Sequence, residues 1–131
     1  MIHIRCVAVL ETMWGTEGKA PGMFRINPQN HTGRRLYWLL GHDNLWVTNA
    51  CPQQVANARQ HGKPDSEWLS YNLQRCSYGL LLVCGKVAQA TFAQCDYKPS
   101  CRILGMPHPA ARTWTKAMLL EWQQRIQSGV H

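Results

Sequence analysis

Apolar runs of strand length alternate along this chain with segments whose apolar residues recur every three or four positions, and that alternation predicts the order of elements. The Ile- and Val-rich run Ile2–Leu10 stops at Glu11 and reads as a buried strand. Residues 14–29 carry Gly15, Gly18, Pro21, Gly22 and Pro28 and read as one long loop, a length that is usually either functional or disordered. Asn30 or Thr32 is placed to cap a helix through Arg35–Leu40, closed by Gly41. Leu45–Thr48 reads as a second strand, which Asn49–Pro52 leaves.

Further along, Asp65 or Ser66 caps a helix with Glu67 in its first turn. Leu80–Cys84 is apolar throughout, as expected of a strand covered on both faces. Gly85-Lys86 turns the chain into a short helix, Val87–Phe92. Arg102–Leu104 begins the last strand, followed by Gly105-Met-Pro-His108-Pro109. Thr113 is then placed to cap a final helix on which Trp114, Met118, Trp122 and Ile126 step by fours along one side. Four strands, each followed by a helix or a helix-opening loop, predict an α/β protein with an open four-stranded parallel sheet and helices on both faces. Ligands of such sheets bind beyond the carboxyl ends of the strands. That rule gathers Glu11–Gly15, Asn49–Pro52, Gly85-Lys86 and His108–Arg112 in one place.

Composition narrows the picture. A length of 131 residues suits one domain, expected to span residues 1–131, with a real core. No stretch approaches the roughly 18 apolar residues of a membrane span, so no membrane partner is expected. The first residues lack the apolar core of a secretory signal, which predicts a cytoplasmic protein with reduced thiols. The six cysteines, Cys6, Cys51, Cys76, Cys84, Cys95 and Cys101, contain no C-x-x-C pair. Cys95, Cys101 and His108 could make a mixed zinc site, but the expectation is no metal. Fourteen Lys and Arg against seven Asp and Glu give a net charge of +7, which favours a polyanion such as nucleic acid or a nucleotide. The cations lie evenly along the chain and form no basic arm.

The strand ends differ in chemistry. Glu11 is one of few carboxylates, and desolvation at the end of an apolar strand would suit it to act as a base. Its alternative is an ordinary loop carboxylate. Asn49 carries donors and an acceptor able to read the edge of a base, or else starts an Asx turn toward Pro52. His108 is held between Pro107 and Pro109, stiff enough to donate to a developing anion without reorganisation. Its alternative is a histidine that satisfies local backbone. The segment runs on to Arg112 and an expected helix N-terminus, a natural phosphate site. Trp38, Trp68, Trp114 and Trp122 read as core, whereas Trp14 and Phe24, in the long loop, are better placed to stack on a base. No nucleophile elbow, Walker loop or dinucleotide fingerprint is present.

Taken in order, these segments resemble the uracil-DNA glycosylase superfamily, nearest its small bacterial and phage-type members. His108-Pro109-Ala110-Ala111 resembles the family's His-Pro motif after the last strand, and Val47-Thr48-Asn49 resembles its strand ending in a base-reading Asn. Leu81–Ala88 is similar to its strand, Gly turn and Ala-containing helix, and Pro64–Leu69 to the helix start before them. The first motif departs: Leu10-Glu11-Thr12-Met13-Trp14-Gly15 stands where the family has a Pro-Gly or Pro-Tyr turn. The resemblance covers roughly residues 7–114 and implies a three-layer α/β/α sandwich around a four-stranded parallel sheet.

It further implies a monomeric DNA glycosylase that binds a flipped uracil or modified pyrimidine in single- or double-stranded DNA and hydrolyses its glycosidic bond. No cofactor is implied. Glu11 and His108 would be catalytic. Asn49, with Phe24 or Trp14, would hold the base, and Arg112, Arg34 and Arg35 would contact phosphates. The divergent first motif leaves a second expectation: a non-catalytic binder of a nucleotide, modified base or nucleic acid on the same fold. A third is an interaction protein, phage-encoded, with a basic face.

Overall fold

The computed structural model describes residues 2–3, 5–14, 22–26, 28–42, 44–55 and 62–128. Nine strands and four helices follow in order among them: β1 (Ile2–His3), β2 (Cys6–Leu10), β3 (Met13–Trp14), β4 (Phe24–Arg25), α1 (His31–Leu40), β5 (Leu45–Asn49), β6 (Gln54–Val55), α2 (Ser66–Gln74), β7 (Cys76–Ser77), β8 (Leu80–Cys84), α3 (Lys86–Ala93), β9 (Arg102–Met106) and α4 (Lys116–Ser128). The main sheet has five strands in the order β4-β5-β2-β8-β9. Four run parallel and β4 joins antiparallel at one edge. Two small parallel pairs, β1 with β7 and β3 with β6, stand beside it.

The alternation of side chains across each strand sorts the core into two layers. Cys6, Ala8, Leu45, Val47, Leu80, Leu82 and Cys84 face α1 and α4, where Leu36, Leu39, Leu40 and Ile126 are buried. Val7, Val9, Leu81 and Val83 face the other way, against Leu69 and Leu73 of α2 and Ala88 of α3. The fully apolar β8 is buried at every position because it lies between β2 and β9 with helices on both sides. Truncating Leu81 or Leu82 to Ala would cost about 2–5 kcal/mol.

Local chemistry sets the helix ends. Asn30 Oδ1 accepts from the Gly33 amide at 2.7 Å and Gly41 closes α1. Asp65 Oδ1 accepts from the Trp68 amide at 3.0 Å to start α2. Gly85 opens α3 with φ of +90°, a conformation that favours glycine, so β8 passes into the helix in a single residue.

Three expectations are corrected. Residues 14–29 are not a single loop: Phe24-Arg25 pair with Trp46-Val47, so the sheet is mixed and five-stranded rather than four-stranded and parallel. A two-residue edge strand between Gly22 and Pro28 is too short to leave a periodicity in the sequence. The last helix starts at Lys116, capped by Thr115, whose hydroxyl accepts from the Met118 amide at 3.1 Å, and not by Thr113. Trp114 therefore precedes the helix. Finally, Trp38 is 46% exposed and is not core.

Candidate functional site

The parallel strands bring Leu10, Asn49, Cys84 and Met106 to one end of the sheet. The chain changes direction there: β5 lies on one side of β2 and β8 on the other, the switch point at which open α/β sheets bind ligands. Pairing continues past the end of β2. The Ala50 amide donates to Leu10 O at 2.8 Å and the Cys51 amide to Glu11 O at 2.9 Å, which fixes the Glu11 backbone beside the residues after Asn49. The chain returning to α2 packs closely here. A Cβ on Gly62 would lie 2.7 Å from Cys51 Cβ and 2.8 Å from Gln53 Oε1, so only glycine fits.

Asn49 ends β5 opposite Leu10 and is 2% exposed. Among the described residues its Nδ2 has no hydrogen-bond partner, an arrangement that costs about 1–3 kcal/mol unless an acceptor is supplied. Phe24 stands opposite Val47, two residues before Asn49, and packs on the same core layer as Val47. The aromatic ring and the amide thus belong to one face of the sheet. Thr48, on the other face, also has a buried hydroxyl without a partner among the described residues.

His108 follows β9 and is pinned on three sides. The Ala110 amide donates to its Nδ1 at 3.0 Å. Its carbonyl accepts from Trp114 Nε1 at 2.8 Å and from the Ala111 amide at 3.0 Å. Gly85, which starts α3, lies against His108: a Cβ there would stand 3.4 Å from His108 Cβ, an ordinary van der Waals contact. Because Nδ1 accepts, the neutral ring carries its proton on Nε2 and presents a donor. Burial pushes the His108 pKa down, which keeps that neutral form at pH 7; the charge of Glu11 pulls weakly the other way. The same carboxylate is felt by Cys51, whose thiol is raised mainly by burial, against a lowering hydrogen bond from Thr12. Glu11 therefore acts electrostatically on the groups to either side of β2.

The predicted cations are not all at this edge. Arg35 Nη1 donates to the Pro109 carbonyl at 2.8 Å, and its guanidinium lies 5.7 Å from the centre of the Trp114 ring. It braces the His108 segment from α1 and is committed to that contact. Arg34 is exposed and lines a groove between α1 and α4, with His31, Arg35, Trp38 and Leu119. Arg112 is exposed in the turns after His108. The expected phosphate site on a helix N-terminus beside Arg112 is absent there, since α4 opens at Lys116. The backbone of Trp14 lies in β3, and its side chain is outside the described residues.

Cys95 donates to the carbonyls of Ser66 and Thr91 at 3.4 and 3.5 Å. Among the described residues no group of three His, Cys, Asp or Glu side chains is arranged to hold a metal ion. The sequence reading missed the brace of Arg35 and Trp114 on His108. Only the spacing of Trp114, six residues past His108 with two prolines and a turn nearby, hints at it. No protein-family model matches the chain, and no curated protein matches it.

Proposed function

We propose that this protein is a DNA glycosylase-like enzyme of the uracil-DNA glycosylase type, binding a flipped uracil or modified pyrimidine at the carboxyl end of its sheet. The observation that carries this reading is Asn49, a buried amide at the strand end, on the Phe24 face of the sheet, whose donor has no partner among the described residues. The parallel order β5-β2-β8-β9 agrees with that reading. Asn49 ends β5 and His108 follows β9, strands three spacings apart, about 14 Å in the backbone.

In this mechanism the flipped base stacks on Phe24, and Asn49 donates to its carbonyl edge, offsetting the few kcal/mol of unstacking. His108 donates from Nε2 to the pyrimidine O2 as the glycosidic bond breaks and its electron pair moves onto the base. Glu11 orients a water against the cationic sugar. The water oxygen bonds to the anomeric carbon, its proton leaves by way of the carboxylate, and an abasic site and the free base result. The neutral state of His108 suits this role, since an uncharged donor stabilises the anionic base without a proton having to be lost first.

The departure of residues 10–15 from the family's first motif favours a second reading. Met13-Trp14 pair with Gln54-Val55 as β3 and β6 in place of a Pro-Gly turn, so the protein would bind the base without releasing it. Incubating excess protein with uracil-containing single- and double-stranded DNA separates the two. Abasic sites support the enzyme; tight binding with no abasic sites supports the binder and overturns the uracil version of the proposal.

A further inference from the structure

Helix α1 turns one side chemically unlike its core face. His31, Arg34, Arg35 and Trp38 stand at spacings of three, four and seven residues, which puts them on one stripe of the helix. With Leu119 of α4 they line an open groove of about 230 Å³. Among the described residues no carboxylate lines it, and α1 itself carries none. The Trp38 indole is 46% exposed, while Leu36, Leu39 and Leu40 on the opposite face are buried. Its backbone is held by Gln123 Nε2, which donates to Trp38 O at 3.1 Å. Arg35, one of the lining residues, is held by its bond to Pro109 and lies over Trp114. Arg34, by contrast, makes no side-chain hydrogen bond or ion pair among the described residues.

We propose that this groove is a binding subsite for single-stranded nucleic acid, with a base stacked on Trp38 and a neighbouring phosphate on Arg34. An exposed aromatic face flanked by cations, with no acidic residue, is what a stacked nucleotide needs, since every base has a π-face and every link a negative charge. Arg35 connects the groove to the His108 segment, so a strand engaged at the sheet end has a continuous path onto α1. The inference goes beyond base release: binding in the groove requires no chemistry at Glu11 or His108, so an oligonucleotide without uracil is the proper probe.

The experiment is fluorescence anisotropy of a labelled ten-residue thymidine oligonucleotide, as DNA and as RNA, titrated with the full chain over a range of salt. Trp38→Leu is expected to weaken binding about tenfold, whereas Trp38→Phe keeps a stacking face and loses much less. Arg34→Met should reduce the slope of log affinity against log salt by about 0.7, one phosphate's share on a single strand. Thermal melts confirm that both surface variants are folded. Binding by either sugar with these losses supports the subsite. Unchanged binding by Trp38→Leu overturns it, as does displacement of the oligonucleotide by polyglutamate as effective as displacement by unlabelled DNA. Uracil release that persists with no effect of Trp38→Leu on binding defeats the groove alone; oligonucleotide binding without release defeats the glycosylase reading alone.

Discussion

Arg35 donates to the carbonyl of Pro109 at 2.8 Å, joining the middle of α1 to the residue after His108 across 74 positions of sequence. The contact carries positional information. With Trp114 Nε1 on the carbonyl of His108 it clamps two successive carbonyls, which fixes the backbone that carries the imidazole. Replacing Arg35 with Met keeps the stem and removes the donor. The expected outcome is a loss of about 1–2 kcal/mol in chemical denaturation, with a fall in turnover larger than the loss of stability explains. Lys at this position should not rescue, because it cannot both reach the carbonyl and lie flat over Trp114. A variant with wild-type turnover would show that the clamp does not serve His108.

His108 makes stability depend on pH. Its folded pKa lies below the ordinary histidine value, chiefly through burial, so on acidification the unfolded chain takes up the proton first. Stability contributed by the neutral ring is complete above about pH 6.5, falls as the pH drops below that, and stops falling under the folded pKa. Protonating Nδ1 would also displace the Ala110 amide. Denaturation midpoints at pH 7.5 and 5.5 should differ more in the wild type than in His108→Asn, whose side-chain oxygen can still accept from Ala110. Equal differences in the two proteins would remove His108 from the account.

Asn49 separates function from folding. A buried amide donor kept for a ligand weakens the free protein, so Asn49→Leu should leave thermal stability unchanged or slightly raised. Base binding, measured by calorimetry with uracil or a uracil-containing oligonucleotide, should fall at least tenfold. Were Asn49 structural instead, the same variant would melt earlier and bind normally.

The thiols of Cys6 and Cys84 lie in the centre of the sheet, and burial raises both well above the ordinary value. In the native protein they should resist alkylation at pH 8 while Cys101, which is only partly buried, reacts first. Mass spectrometry of trapped peptides reads the order. Early labelling of Cys84 would mean that β8 opens far more readily than a strand buried at every position should.

Much of this fold is legible in the sequence because its signals are local. The unbroken apolar run Leu80–Cys84 gives the central strand, Asn30 and Asp65 give helix starts, and the polar residues after each apolar run give the strand ends. What escapes is what tertiary contact alone decides. Phe24-Arg25 become a strand only because β5 offers a free edge. Arg35 resembles any surface arginine until α1 packs beside the segment after β9. Trp38 looks like core by hydropathy, and its exposure is evident only from the stripe it shares with His31 and Arg34. That Glu11, Asn49 and His108 stand at or just past one edge of the sheet was legible in sequence because parallel topology brings the carboxyl ends of the strands to one side.

The most direct test is the single-turnover rate of uracil release, under protein excess, for the wild type and for Glu11→Gln, with oligonucleotide affinity measured alongside. Glu11 is the carboxylate assigned to the attacking water, and Gln preserves its size. Release by the wild type, a rate at least about 100-fold lower in Glu11→Gln, and nearly equal affinities are expected. No release by the wild type, or equal rates in the two proteins, would contradict the proposed mechanism.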